Sequence, residues 1–276
     1  MKRLRDRVAV VTGAGSGIGK ATSIELARRG CHLALVDMNE EAAQKTALEI
    51  ERLGGRASVH QADVSKAARM KALAKEVAAE HGKINIVVNN AGVGVGGAFE
   101  DSTLEDWKWV IDVNVWGVVH GCMYFLPYLK EADEAHIVNI SSAAGFAGIP
   151  GMSAYCATKF AVLGLTESLR VELSEHGIGV TSIHPGAIKT NILNTTRYGK
   201  ETGRTSTMEQ FGEGFMEKFG RPPEVAAKKI VDAIAHNETR IRIGAESYLI
   251  DILKRYAPVR SEAFLSFFER RLSNQA

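Results

Sequence analysis

Val8-Ala9-Val10-Val11-Thr12, followed by Gly13-Ala14-Gly15-Ser16-Gly17-Ile18-Gly19 and then by the helical pattern Lys20 to Arg29, is the stretch on which the fold turns. A short β-branched run that ends in glycines and opens directly into a helix predicts a strand, a tight turn and a helix N-terminus. Glycines at such a junction allow positive φ and let the backbone approach a diphosphate, while the helix start offers unpaired N–H groups and a partial positive charge. The spacing, GxxxGxG through Gly13, Gly17 and Gly19, differs from the common GxGxxG fingerprint. The loop, Ser16 and Ile18 included, is nevertheless a candidate dinucleotide cradle.

Outward from this point, short apolar runs alternate with amphipathic stretches. Strands are predicted at Val8 to Thr12, His32 to Asp37, Ala57 to Gln61, Asn85 to Asn89, His136 to Ser141, Gly179 to His184 and Arg240 to Ile243. Helices are predicted at Lys20 to Arg29, Glu40 to Leu53, Ser65 to His81 and Tyr155 to His176. Alternation of this kind gives parallel strands joined by right-handed crossovers. The expected fold class is α/β: a Rossmann-type doubly wound parallel sheet of about seven strands with helices on both faces. Nothing resembling a linker divides the chain, so residues 1–276 read as one domain.

Two segments interrupt the alternation. Residues 188–220 are rich in Thr, Gly and charge, long enough to be a substrate lid. Within them Phe211, Phe215 and Phe219 recur every four residues, either packing on the core or walling a substrate. Residues 246–276 mix Leu249, Ile250, Leu253, Tyr256, Phe264, Leu265, Phe267 and Phe268 with Lys254, Arg255, Arg260, Arg270 and Arg271. Such an amphipathic tail can dock on its own domain, close a neighbouring subunit's pocket or rest peripherally on a membrane surface.

Composition excludes other classes. With 45% hydrophobic and 24% charged residues, 34 Lys and Arg against 32 Asp and Glu, and a net charge of +2, the chain is globular and lacks a nucleic-acid footprint. Cys31, Cys122 and Cys156 are far apart and form no CxxC or Cys/His cluster, so neither a disulfide framework nor a metal site is written here. A reducing cytoplasm fits that usage. The apolar stretch near the N-terminus, Val8 to Val11, is too short for a signal-peptide core. The uncharged run Val113 to Leu129 approaches membrane-span length but contains Asn114, Gly117, His120 and Pro127, so it reads as a helix buried between layers or subunits and no transmembrane segment is expected.

Asp37 closes the second strand, 18 residues beyond Gly19. A carboxylate there can accept hydrogen bonds from both adenosine ribose hydroxyls and repel a 2′-phosphate, which points to NAD rather than NADP. The bland alternative is that Asp37 caps the following helix. Farther on, Tyr155 and Lys159 stand four apart, on one helical face. A free phenol, with a pKa of about 10, is a poor base at neutral pH. A fixed ammonium and a positively charged nicotinamide favour its phenolate and make it a usable general acid/base. The fifth strand ends at Ser141-Ser142, placing hydroxyls at the sheet edge where open α/β folds bind ligands.

With Thr12 to Gly19, Asn89-Asn90-Ala91-Gly92, Asn114, Ser142, Tyr155 and Lys159 in order, the sequence resembles the classical short-chain dehydrogenase/reductase family from about Arg7 to Gly244. The resemblance implies that Tyr155 transfers the proton, that Lys159 lowers its pKa and bonds the nicotinamide ribose, and that Ser142 orients the substrate oxygen. It implies that Asn114 holds a water in a proton relay; the bland alternative is a buried amide satisfying backbone groups, and the two are compatible. Asp63 and Val64 match the pair at the adenine ring, and Asn90, Ala91 and Gly92 the segment beside the adenosine ribose. Pro185, Gly186, Ile188 and Thr190 match the turn at the nicotinamide amide. One departure is Asn85, where the family commonly has an acid before the Val-Asn-Asn-Ala-Gly segment; the loss of charge leaves a local stabilising contact in doubt.

The expected activity is hydride transfer between NAD and a secondary alcohol or its ketone, without a metal, the aromatic segments pointing to a bulky apolar substrate. Rivals are reduction of a 3-oxoacyl thioester, which in the resembled family usually goes with NADPH, and a non-catalytic NAD-binding protein. The same resemblance implies a homodimer or homotetramer paired through Val113 to Leu129 and the helix after Tyr155.

Overall fold

The computed structural model describes residues 1, 3–199, 214 and 216–260. Seven parallel strands form the central sheet: β1 Val8–Thr12, β2 His32–Asp37, β3 Arg56–Gln61, β4 Ile86–Asn89, β6 Ala135–Ile140, β7 Ile178–Pro185 and β9 Arg240–Ile243. Their spatial order is β3-β2-β1-β4-β6-β7-β9. Three of the strands match the sequence reading end for end, and the other four shift by a single residue at one or both ends. Two short strands were not legible: β5 Val95–Gly96 and β8 Arg197–Tyr198, which pair in parallel and tie the loop after β4 to the segment after β7.

Alternate residues of each strand feed opposite layers, as the pleat requires. Ala9, Val11, Leu33 and Leu35 pack with Leu26 of α1 (Gly17–Arg28), Ala43, Ala47 and Ile50 of α2 (Glu40–Arg52), and Ile230 and Ile234 of a helix near the C-terminal end. Val10, Ala34, Val36 and Val87 pack with Met70, Leu73 and Val77 of α3 (Ala67–His81) and with Val118, Phe125 and Leu129 of a long central helix. Each fully buried Leu or Ile contributes about 1.5–3 kcal/mol relative to exposure. These two layers, rather than helix propensity, hold the sheet.

The long helix comprises α4 (Leu104–Ile111), a π-helical turn (Asp112–Trp116) and α5 (Gly117–Glu131). By length and composition it could cross a membrane, yet its apolar stripe is the floor of the second layer, as read from Val113 to Leu129. Its outer face leaves Trp116 and Met123 half exposed. After it come α6 (Ser153–Glu172), α7 (Pro223–His236, with Pro at its first position) and α8 (Ala245–Tyr256).

α1 begins three residues earlier than Lys20, because the glycine loop itself winds into the first turn, with Lys20 N donating to Ser16 O at 3.0 Å. Asn85 is fully buried: its Oδ1 accepts from Val8 N at 3.1 Å and its Nδ2 donates to Glu134 O at 3.1 Å. A neutral amide thus supplies the contact that the missing acid had put in doubt. The start of the tail docks on its own sheet edge through Asp251, which pairs with Arg242 at 2.9 Å and with Arg255 at 2.8 Å. Of the phenylalanine stripe only Phe219 lies among the described residues, half exposed; Phe211 and Phe215 lie outside them, as do residues 261–276 of the tail.

Candidate active site

The strand order reverses between β1 and β4, because β2 and β3 lie on one side of β1 and all later strands on the other. Open sheets bind ligands at the carboxyl ends of the strands beside such a point. A cleft of about 1470 Å³ opens there. Every residue read as a site residue lines it except Gly19 and Asn114, which stand directly behind it.

The cradle is built by close approach. Gly13 has φ of +66°, and a Cβ on Gly19 would fall 2.1 Å from the Gly13 carbonyl oxygen. Thr12 fastens the neighbouring wall: its Oγ1 accepts from Asn90 N and Ala91 N at 3.0 Å each, and Asn90 Nδ2 donates to Thr12 O at 2.8 Å. Ser16, the N-cap of α1, makes no side-chain hydrogen bond to the helix, and Ser16, Gly17 and Ile18 line the cleft, so the helix N-terminus faces it. Asp37 stands beyond it, one carboxylate oxygen accepting from Gly15 N at 2.8 Å and the other from Asn39 N at 2.9 Å. A carboxylate has about four acceptor positions, so two remain for a ligand. The helix-cap alternative fails, because Asn39 caps α2 through Ala42 N at 3.0 Å.

Farther along the same edge, Asp63 accepts from Ser65 N at 2.9 Å, and Val64 O pairs with His120 Nδ1 at 2.8 Å. Pro185 ends β7, and Gly186 N donates to Ile243 O at 2.8 Å. Ile188 is buried, and Thr190 lies against Gly17, so the turn after β7 reaches back to the glycine loop.

At the centre of the cleft three groups meet. Tyr155 and Lys159 are almost fully buried on the first turns of α6, with Lys159 Nζ 5.5 Å from the phenol ring centre. Lys159 Nζ donates to Ile140 O at 3.1 Å. Burial pushes the Tyr155 phenol up to about 12, opposed by the neighbouring Ser142 hydroxyl, which favours the charged form. Burial lowers the Lys159 ammonium to about 8. Ser141 donates to Lys159 O at 2.8 Å, turned into the helix, which distinguishes it from Ser142. Asn114 sits in the π-helical turn, fully buried: Oδ1 accepts from Val93 N at 2.9 Å, and Nδ2 donates to Val93 O at 2.9 Å and to Thr158 Oγ1 at 3.1 Å. Its amide therefore ties the loop after β4 to α6 immediately beside Lys159.

Several lining residues carried no sequence signal. Ile149, Met152 and Ile192 form an apolar wall against Tyr155. Trp109 extends it, with the Arg197 guanidinium 3.8 Å above its ring centre. Glu246 of α8 accepts from Ala187 N at 2.8 Å and from Arg221 at 2.9 and 3.1 Å, while Lys189 N donates to Arg221 O at 2.8 Å. One carboxylate thus clamps both stems of the segment read as a lid. Contacts among residues 187, 221 and 246 are long-range and leave no local pattern.

The short chain dehydrogenase family model matches residues 7–201. A Mycobacterium tuberculosis protein that carries the name oxidoreductase SadH is 39% identical over 259 residues, 92% of each chain. Cyclohexanol dehydrogenase of Acinetobacter sp. (strain SE19) is 35% identical over 250 residues, 90% of this chain and 95% of its own. Among solved structures, a short-chain dehydrogenase/reductase from Burkholderia phymatum in complex with NAD superposes with a TM-score of 0.83 at 33% identity, covering 88% of this chain and 90% of that one. By that family match and these relatives, the chain belongs to the short-chain dehydrogenase/reductase family of oxidoreductases.

Proposed function

We propose that the chain transfers a hydride between NAD and a bulky, apolar secondary alcohol or its ketone. The observation that carries the reading is the cleft shared by Ser142, Tyr155 and Lys159, with the Lys159 ammonium 5.5 Å from the phenol ring centre and Ile149, Met152 and Ile192 flanking the ring. The cyclohexanol dehydrogenase relative supports a cyclic substrate.

The residues fit the dinucleotide. The N-terminus of α1 offers donors to a diphosphate, the two spare acceptor positions on Asp37 suit a ribose diol and oppose a 2′-phosphate, and Thr190, beside Gly17, would hold the carboxamide. That opposition also weighs against the NADPH-linked thioester reductase reading. When bound, NAD supplies the hydride acceptor.

The chain's own residues manage the proton. Ser142 steadies the substrate oxygen and Tyr155 exchanges a proton with it. The uncharged phenol, favoured by burial, gives its proton to a ketone oxygen during reduction. Oxidation needs the phenolate, so the Lys159 ammonium must offset the burial and the rate of oxidation rises with pH. Asn114 holds the backbone beside Lys159, where a water could return the proton to solvent.

The test is NADH formation from cyclic, steroidal and short aliphatic secondary alcohols, with NAD and NADP compared. Turnover with NAD, faster on the bulky cyclic members, supports the reading. Absence of turnover across the panel in both directions overturns it and revives the non-catalytic one.

A further inference from the structure

On the sheet edge away from the cleft, strand β3 and the end of helix α3 bring together two imidazoles and a carboxylate. His60 Nε2 lies 3.6 Å from a Glu80 carboxylate oxygen, and one ligand atom from each of His60, Glu80 and His81 falls within 4.8 Å of the others. Ser58, two residues before His60 on the same face of the strand, has its Oγ 2.8 Å from His60 Nε2 and 2.7 Å from His81 Nε2. Both nitrogens therefore aim at one small volume. A single hydroxyl serves both nitrogens either by donating to one and accepting from the other or by accepting from both.

We propose that His60, His81 and Glu80 form a binding site for a divalent transition metal, zinc or a chemically similar ion, in which the cation takes the hydroxyl's place between the nitrogens. Imidazole and carboxylate suit such ions, and Zn–N distances of about 2.0–2.1 Å put neighbouring tetrahedral ligand atoms about 3.4 Å apart. The His60 to Glu80 distance of 3.6 Å is close to this, and a His81 ligand atom lies within 4.8 Å of both. A further feature favours a cation: His81 ends α3, where the aligned carbonyls carry partial negative charge. Burial lowers the pKa of both rings, with His60 facing Glu80, His81, Glu76 and Arg69, and His81 facing Glu80 and His32. Neutral rings with free lone pairs are what a metal requires. Glu80 is exposed and His81 partly so, which leaves room for waters to complete the shell.

The site departs from the absence of metal ligands read from the sequence, because its imidazoles are 21 residues apart and only the β3–α3 crossover unites them. It does not rest on the proposed activity. Its expected effect is structural, fastening the end of α3 to the edge strand that leads into Asp63 and Val64.

The experiment uses the untagged full chain, stripped with a chelator and titrated calorimetrically with Zn²⁺, with Mg²⁺ as a control. One Zn²⁺ should bind per chain with micromolar or tighter affinity, raise the melting temperature and leave NAD affinity unchanged, whereas Mg²⁺, which prefers oxygen ligands, should not bind. Co²⁺ in its place should give the visible absorption of a low-coordinate site. His81→Gln and Glu80→Gln, at accessible positions, and His60→Gln should each weaken binding by about tenfold or more, at least the loss seen for outer-shell partners. No stoichiometric binding, or undiminished binding in His81→Gln and Glu80→Gln, would overturn the proposal and leave Ser58, His60 and His81 as a hydrogen-bonded cluster alone.

Discussion

Lys159 is held at an energetic cost, and replacing it with methionine should make the protein more stable and less active. Burial lowers its ammonium from 10.5 to about 8. At 1.36 kcal/mol per unit, keeping it charged at pH 7 costs about 3 kcal/mol. Its hydrogen bond to Ile140 O returns about 1.5–3 kcal/mol, a charged donor being stronger than a neutral one. Lys159→Met fills similar volume without the charge, so a net gain of about 1 kcal/mol, and a rise of a few degrees in melting temperature, is expected at pH 7. The sign with pH follows from the lowered value. The contribution of Lys159 to wild-type stability is present above pH 10.5 and is lost as pH falls through about 8. The advantage of the variant should therefore be full below about pH 8 and vanish near pH 10.5. Urea unfolding of both proteins at pH 7 and pH 10, beside turnover, reads this directly. A variant less stable than wild type at pH 7, or a gap that does not close toward pH 10, would refute the reasoning.

Other residues give further expectations. Asp37→Ala removes the ribose acceptor and should raise the KM for NAD by about tenfold or more while narrowing the preference for NAD over NADP; an unchanged ratio in paired kinetics would count against the assignment. Glu246→Ala loses both Ala187 N and Arg221, so the KM for NAD should rise several-fold, with Glu246→Gln, which keeps an acceptor for Ala187, in between; steady-state kinetics giving wild-type values for both would remove Glu246 from the site. We also propose that the chain self-associates through the long central helix and α6, whose outer faces leave Trp116, Met123, Phe160 and Val171 exposed. Met123→Glu should shift sedimentation toward monomer, and a wild type already monomeric would contradict that.

How much of this was legible beforehand depended on whether a residue's role is local. Val8–Thr12 and His32–Asp37 read correctly to the residue because a buried parallel strand is a continuous apolar run bounded by turns. The glycine loop and Asp37 were legible for the same reason, each lying at the end of such a run. Tyr155 and Lys159 were read from their four-residue spacing and Ser142 from the family resemblance, and the fold brings all three to one cleft. Glu246 was read only as the start of an amphipathic tail, because its partners Ala187 and Arg221 come together through β7 and β9. The apolar wall of Ile149, Met152 and Ile192 was hidden likewise, since it joins a loop before α6 to one after β7. Charge balance around Tyr155 was also beyond sequence: the cation one helical turn away is legible, whereas the burial that pushes the phenol up to about 12 is a property of the packed layers.

The central claim is that one phenol oxygen carries the proton. Hydride transfer measured in single turnover with Tyr155→Phe, alongside NADH binding by fluorescence, separates chemistry from binding. We expect NADH to bind within about threefold of wild type and the transfer rate to fall by about two to four orders of magnitude, the loss typical of a general acid/base. Hydride transfer at the wild-type rate in that variant would contradict the account.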